Sequence, residues 1–234
     1  MNIIAHRGDS TGARDNTMEA FQLAYEADVY GFEFDVRLSA DSIPVIYHNM
    51  MLNGATQDGF IEDFTFDQLK SIKLLHEDKT YHIPSLQEVL DTYCGKTYLE
   101  IHVQSNNRDI VPAIANLLNP FRHHRDMIEL TSYEPAILLA FQEACPGIAC
   151  DLLFYVEAWM TQEIVVRLML DKAVLASAKG VHLPRSQVTR DAVERFTSKG
   201  FTVHCGLVNN IEALNHIQAN GIHQFCTDNI HLFI

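Results

Sequence analysis

Short apolar runs alternate with stretches of helical periodicity from one end of the chain to the other. Residues 3–6 and 31–37 read as strands, and between them residues 17–27 place Met18, Phe21, Ala24 and Tyr25 on one side of a helix. An Asp41-Ser42 turn leads into a second short run, residues 44–48. Residues 49–82 show no sustained period apart from a helix over 66–72. Pro84 then opens a helix through Leu86, Val89 and Leu90, since proline suits a first turn. Beyond it the alternation is regular. Strands at 98–103, 128–132, 147–154, 180–183, 201–206 and 224–227 are separated by helices at 109–118, 135–145, 161–174, 189–198 and 211–220.

With the 44–48 arm set aside, eight strands remain, nearly all followed by a helix. That alternation implies a parallel sheet with both faces covered. Eight repeats in 234 residues favour a closed (β/α)8 barrel of the TIM type over an open doubly wound sheet. No Pro/Gly/Ser-rich linker or charge block divides the chain, so residues 1–234 are expected to form one domain.

The charge balance narrows the function. Seventeen Lys and Arg stand against thirty Asp and Glu, a formal charge of −13. That argues against nucleic acid and against an anionic membrane surface, both of which need basic patches. An anionic small-molecule substrate would need local positive charge, and a bound metal is the simplest source. The five cysteines, Cys94, Cys145, Cys150, Cys205 and Cys226, form no Cys-x-x-Cys pair and read as buried thiols in a reducing compartment. No apolar run is long enough to span a membrane, and the first residues lack the pattern of a signal peptide. The expected location is the cytoplasm.

Two strands break the apolar pattern. In Phe32-Glu33-Phe34-Asp35-Val36, alternation puts Glu33 and Asp35 on one face, and in Tyr98-Leu99-Glu100-Ile101-His102 it pairs Glu100 with His102. On a wet sheet this would be ordinary. Inside a barrel, adjacent carboxylates repel and lose hydration unless a cation compensates. Oxygen ligands without cysteine fit Mg²⁺ or Ca²⁺ better than zinc. His6 and His48 close strands, at the barrel end where active sites gather. Arg7, beside His6, is a permanent planar cation suited to a phosphate oxygen. His182 and His204 also lie near strand ends and read as hydrogen-bonded structural residues or minor substrate contacts, and His123-His124 as a solvated loop. Together, two histidines, three carboxylates and an arginine supply the parts for metal-assisted phosphoryl transfer with a separate acid and base.

These residues resemble the glycerophosphodiester phosphodiesterase family of PI-phospholipase-C-like barrels. The likeness runs through His6-Arg7-Gly8, Asp15-Asn16-Thr17, Glu33-Phe34-Asp35-Val36 and the Pro44–His48 run. It continues through Ile83-Pro84-Ser85-Leu86-Gln87-Glu88-Val89-Leu90, Leu99-Glu100-Ile101, Thr131-Ser132-Tyr133 and Cys226-Thr227-Asp228. The resemblance implies hydrolysis of glycerophosphodiesters to glycerol 3-phosphate and an alcohol. It implies Glu33, Asp35 and Glu100 as ligands of Mg²⁺ or Ca²⁺, His6 and His48 as the acid–base pair, and Arg7 at the phosphate, with His102 beside it where the family has lysine.

The chain departs from the family pattern at four places. Asn49 follows His48 where the family has aspartate, and His102 replaces the lysine. Cys205-Gly206-Leu207-Val208-Asn209 lacks the usual tryptophan, and Asn229 stands near the usual proline. Two alternatives share these residues. One is a phospholipase-D-like or cyclising enzyme acting on lysophospholipids; the other is a catalytically weak barrel that binds a phosphorylated metabolite.

Overall fold

The computed structural model describes residues 1–105 and 107–234. Strand β1 (Asn2–His6) leads through helix α1 (Met18–Glu26) to β2 (Gly31–Leu38). The Thr17 hydroxyl caps α1 by accepting from the Ala20 N–H. Ala20, Phe21 and Ala24 form its buried stripe. Phe21 stacks on Phe32 of β2 with ring centroids 4.8 Å apart. Phe32, Phe34 and Val36 therefore belong to the apolar layer between barrel and helices, which leaves Glu33 and Asp35 facing inward.

After β2 the chain leaves the barrel. β3 (Pro44–Ile46) pairs antiparallel with β2, α2 (Phe66–Ser71) follows, and β4 (Leu74–His76) and β5 (Lys79–Tyr81) form a separate hairpin. This excursion has its own apolar cluster, including Val45, Tyr47, Leu52, Leu69 and Ile83. Arg14 ties it down, Nη1 donating to the carbonyls of Gly54 and Leu75 at 2.7 Å each. Helix α3 (Leu86–Tyr93) brings the chain back.

Strict alternation follows, through β6 (Tyr98–Val103), α4 (Ile110–Leu118), β7 (Ile128–Ser132), α5 (Pro135–Ala144), β8 (Ala149–Leu153) and α6 (Gln162–Leu175). It ends with β9 (Gly180–Leu183), α7 (Arg190–Thr197), β10 (Thr202–Leu207), α8 (Ile211–Ala219) and β11 (Gln224–Thr227). The strands pair in the order β1-β2-β6-β7-β8-β9-β10-β11, and β11 pairs again with β1. The fold is the eight-stranded parallel barrel that the alternation implied. Among the described residues, no helix is long and apolar enough to cross a membrane.

Local details differ from the sequence reading. The β4–β5 hairpin lies in the stretch that showed no period, because each strand has three residues and buries only one. Helix α3 starts after Ser85, not at Pro84. Ser85 and Glu88 form a capping box, and the two oxygens they supply to backbone N–H groups outweigh the proline signal. His48 stands two residues beyond the end of β3, on the loop rather than in the strand.

Candidate active site

Strand register brings the inward-facing acids together. His6 lies beside Glu33, Glu33 beside Glu100, and Glu100 beside Glu129, while Asp35 pairs with His102. All four of these carboxylates are buried. Leaving so many ions dry is costly unless protons, partners or a cation offset the charge.

Glu33, Asp35 and His102 offer three donor atoms within 4.8 Å of one another. His102 Nδ1 is 3.1 Å from Asp35 Oδ1 and 3.8 Å from Glu33 Oε1. Asn16 grips Asp35 twice, donating from Nδ2 to Oδ2 at 2.8 Å and accepting the Asp35 N–H on Oδ1 at 3.1 Å. Its φ of +57° is left-handed, a conformation asparagine tolerates better than most residues. Gln104 Nε2 donates to Asp35 Oδ1 at 2.8 Å. Arg7 donates its N–H to Glu33 Oε2 at 3.1 Å, and its guanidinium Nε lies 3.0 Å from Asp35 Oδ2. The next residue must be Gly8: at φ +81°, a Cβ there would come within 2.6 Å of the Ala20 backbone.

The two histidines proposed for proton transfer are each held at Nδ1. His6 Nδ1 is 2.6 Å from Asp228 Oδ1, and its Nε2 faces Glu33 at 3.9 Å. Asn209 Nδ2 donates to Asp228 Oδ2 at 2.6 Å, so the carboxylate is itself fixed. His48 Nδ1 lies 2.9 Å from Asn49 Oδ1. Arg37 positions that loop, donating from Nε to the His48 carbonyl at 2.7 Å and from Nη1 to the Gln104 carbonyl at 2.8 Å. A cavity of about 180 Å³ opens beside His6, Arg7, Asp15 and Asp228. A larger one of about 410 Å³ lies between Arg37, Gln104 and Tyr133.

The electrostatics follow from this packing. Burial and the neighbouring Asp35 push the Glu33 carboxyl up to about 7. Burial also opposes ionisation of Asp35, but the hydrogen bond and charge of His102, with Arg7, hold it well below the usual carboxylate range. Burial and then Glu129, Glu33 and Asp151 raise Glu100 far above that range. Burial disfavours a charged His6, yet the Asp228 hydrogen bond and the Glu33 charge outweigh it and raise the pKa.

The structure thus gathers His6, Arg7, Glu33, Asp35 and His102 in one cluster. His102, expected at the phosphate, stands among the carboxylates. Glu100 lies one strand from Glu33 but turns Oε1 toward His182 Nδ1, 3.7 Å away. Its Oε2, like His102 Nε2, is buried without a hydrogen-bond partner. The mutually close donor atoms of Glu33, Asp35 and His102, with the unpartnered Glu100 Oε2 on the same strand as His102, fit a divalent cation. Asn16, Gln104, Asn209 and Asp228 escaped the sequence reading as site residues, although the Asp15-Asn16-Thr17 and Thr227-Asp228 likenesses pointed at two of them. Tyr133 was another, with its ring 5.5 Å from that of His102.

A profile of the glycerophosphoryl diester phosphodiesterase family matches residues 6–232. A glycerophosphodiester phosphodiesterase of Bacillus altitudinis is 25% identical over 236 residues, covering 97% of this chain and 94% of its own. The crystal structure of a glycerophosphodiester phosphodiesterase from Thermotoga maritima superposes with a TM-score of 0.79 at 26% identity, covering 100% of this chain and 96% of that one. An Oleispira antarctica phosphodiesterase, solved in complex with the product sn-glycerol-3-phosphate, shares the fold. It superposes with a TM-score of 0.80 at 22% identity over 97% of this chain and 93% of its own. Since the match begins at His6 and runs almost to the last residue, the chain belongs to the glycerophosphoryl diester phosphodiesterase family, a family of phosphoric diester hydrolases.

Proposed function

We propose that this protein hydrolyses glycerophosphodiesters to glycerol 3-phosphate and an alcohol, with a divalent cation and two histidines. The observation that carries the reading is the cluster of Glu33, Asp35 and His102 beside Arg7 and His6, where β1, β2 and β6 lie side by side. Glu33, Asp35 and His102 would hold the cation, with Glu100 offering Oε2. When bound, the cation supplies Lewis-acid polarisation of a phosphoryl oxygen and offsets the buried acids.

The chain's own residues do the rest. Arg7 binds the phosphate from the side of the barrel where Asp35 and Asp15 anchor its guanidinium. His6 and His48 differ in what holds Nδ1. Beside the Asp228 anion, imidazolium is favoured, so His6 acts as the acid and protonates the leaving alkoxide from Nε2. Asn49 is neutral and accepts from Nδ1–H, which leaves the His48 Nε2 lone pair to take a proton from the nucleophile. Asparagine in place of the family's aspartate thereby fits a base.

The substrate is a small molecule, and the product complex of the Oleispira antarctica relative supports glycerol 3-phosphate as its shared part. The five unpaired cysteines support a reducing, cytoplasmic setting. The test is release of glycerol 3-phosphate from glycerophosphocholine and glycerophosphoethanolamine with Mg²⁺ or Ca²⁺. Activity is expected to vanish in EDTA and return with the cation; full turnover in EDTA would overturn the metal requirement.

A further inference from the structure

Across the barrel interior from the proposed catalytic cluster, four consecutive strands point polar side chains at one another. They are Glu129 on β7, Asp151 on β8, His182 on β9 and His204 on β10, and each offers one donor atom within 4.8 Å of all the others. The proposed phosphodiester chemistry uses none of them.

Part of the set is satisfied by hydrogen bonds. Glu129 Oε1 lies 2.6 Å from His182 Nε2, and Tyr98 donates its hydroxyl to Glu129 Oε2 at 2.7 Å. Gln224 Nε2 is 3.1 Å from His204 Nδ1 and 3.4 Å from Glu129 Oε2. Asp151 is the exception. Its side chain is 1% exposed, and neither carboxylate oxygen completes a hydrogen bond, although the Gly180 backbone lies alongside. One of those oxygens faces His204 Nδ1 across 3.7 Å, the same separation that divides His204 from Glu129 Oε2. These gaps are too long for hydrogen bonds and lie around one centre.

We propose that Glu129, Asp151, His182 and His204 bind a second divalent ion of the transition-metal class, Zn²⁺ by preference, separate from the catalytic cation. Two imidazole nitrogens and two carboxylates suit a four-coordinate zinc site, whereas Mg²⁺ and Ca²⁺ favour all-oxygen cages. Charge balance agrees: two neutral histidines, two carboxylates and one dication sum to zero in a dry interior. The ligands come from four neighbouring strands, so the ion would brace half of the barrel wall. His204, with 16% of its side chain exposed, is the ligand nearest to solvent.

The test removes the catalytic site first. A Glu33→Gln/Asp35→Asn double variant, stripped with chelator, is titrated with Co²⁺ and then Zn²⁺ while its circular dichroism is checked. One Co²⁺ per chain is expected, with the visible bands of a four-coordinate ion, displaced by Zn²⁺ and raising the melting temperature. His204→Gln in that background should lose the bands and the thermal shift. A natively folded double variant that binds neither ion would overturn the proposal and show that protons alone neutralise the cluster. Unchanged bands in His204→Gln would also overturn it. Wild type provides a reading that does not depend on any variant folding: two Co²⁺ per chain are expected, one of them with four-coordinate bands, and Co²⁺ binding without those bands contradicts the second site.

Discussion

Replacing Asp228 with asparagine removes one charge from the active site and keeps the shape. Asp228 Oδ1 stands 2.6 Å from His6 Nδ1, and Asn209 holds the carboxylate through Oδ2 and through the Asp228 N–H, which donates to Asn209 Oδ1 at 2.9 Å. A hydrogen bond to a charged group contributes about 1.5–3 kcal/mol. The Asp228 side chain is 42% exposed. Water therefore screens it, and about 1–1.5 kcal/mol is the share to expect, roughly tenfold in kcat. The amide oxygen can still accept from Nδ1–H, but the amide NH2 then meets the Asn209 Nδ2 donor, so KM is followed beside kcat to separate the lost charge from a shifted contact. The pH dependence supplies a sign. Asp228 raises the His6 pKa against the opposing effect of burial, so losing the anion lowers it. If His6 donates its proton to the leaving group, activity needs imidazolium, and the high-pH limb of kcat moves to lower pH. The assay is kcat and KM against pH on glycerophosphocholine with saturating cation, for wild type and Asp228→Asn. Superimposable profiles would refute a role for this pair in proton transfer.

His6→Ala and His48→Ala should each cost ~10²–10⁴ in kcat, and the double variant much less than the product of the two, because acid and base act as a unit. Near-normal turnover in His48→Ala would show that the Asn49 site is out of use. Glu33, raised to about 7 against an ordinary 4.5, stabilises the metal-free fold fully below pH 4.5 and ceases to do so as pH rises through 7. The melting temperature in EDTA should accordingly fall across that window, and saturating Mg²⁺ or Ca²⁺ should flatten the decline. Equal slopes with and without cation would remove Glu33 from the ligands. Asn16→Ala breaks both bonds to Asp35 and puts alanine at a left-handed φ, so urea denaturation should show a loss of about 1–3 kcal/mol. An unchanged midpoint would mean that Asn16 does not support the site.

The barrel was legible because its signals are local. Phe32, Phe34 and Val36 alternate with Glu33 and Asp35 within five residues, and a dry barrel interior makes that alternation chemical. His6 and Arg7 declared themselves by adjacency. Asp228 could not, since it meets His6 across 222 residues of separation when β11 closes on β1. Glu129 and Asp151 were hidden for a related reason. Each is a single acid in an apolar strand, indistinguishable from a wet edge until register places it against His182 and His204. His102 was assigned by likeness to a lysine, and its place beside Asp35 emerges only when β6 pairs in register with β2. The β4–β5 hairpin is too short to show a period of two.

Phosphorus NMR of glycerophosphocholine with the purified protein, first in EDTA and then in excess Mg²⁺ or Ca²⁺, follows the proposed reaction most directly. The diester resonance is expected to persist in EDTA and to give way to that of glycerol 3-phosphate once the cation is added. A diester that survives with both cations, or that turns into phosphocholine or a cyclic phosphate, would contradict cation-dependent hydrolysis to glycerol 3-phosphate.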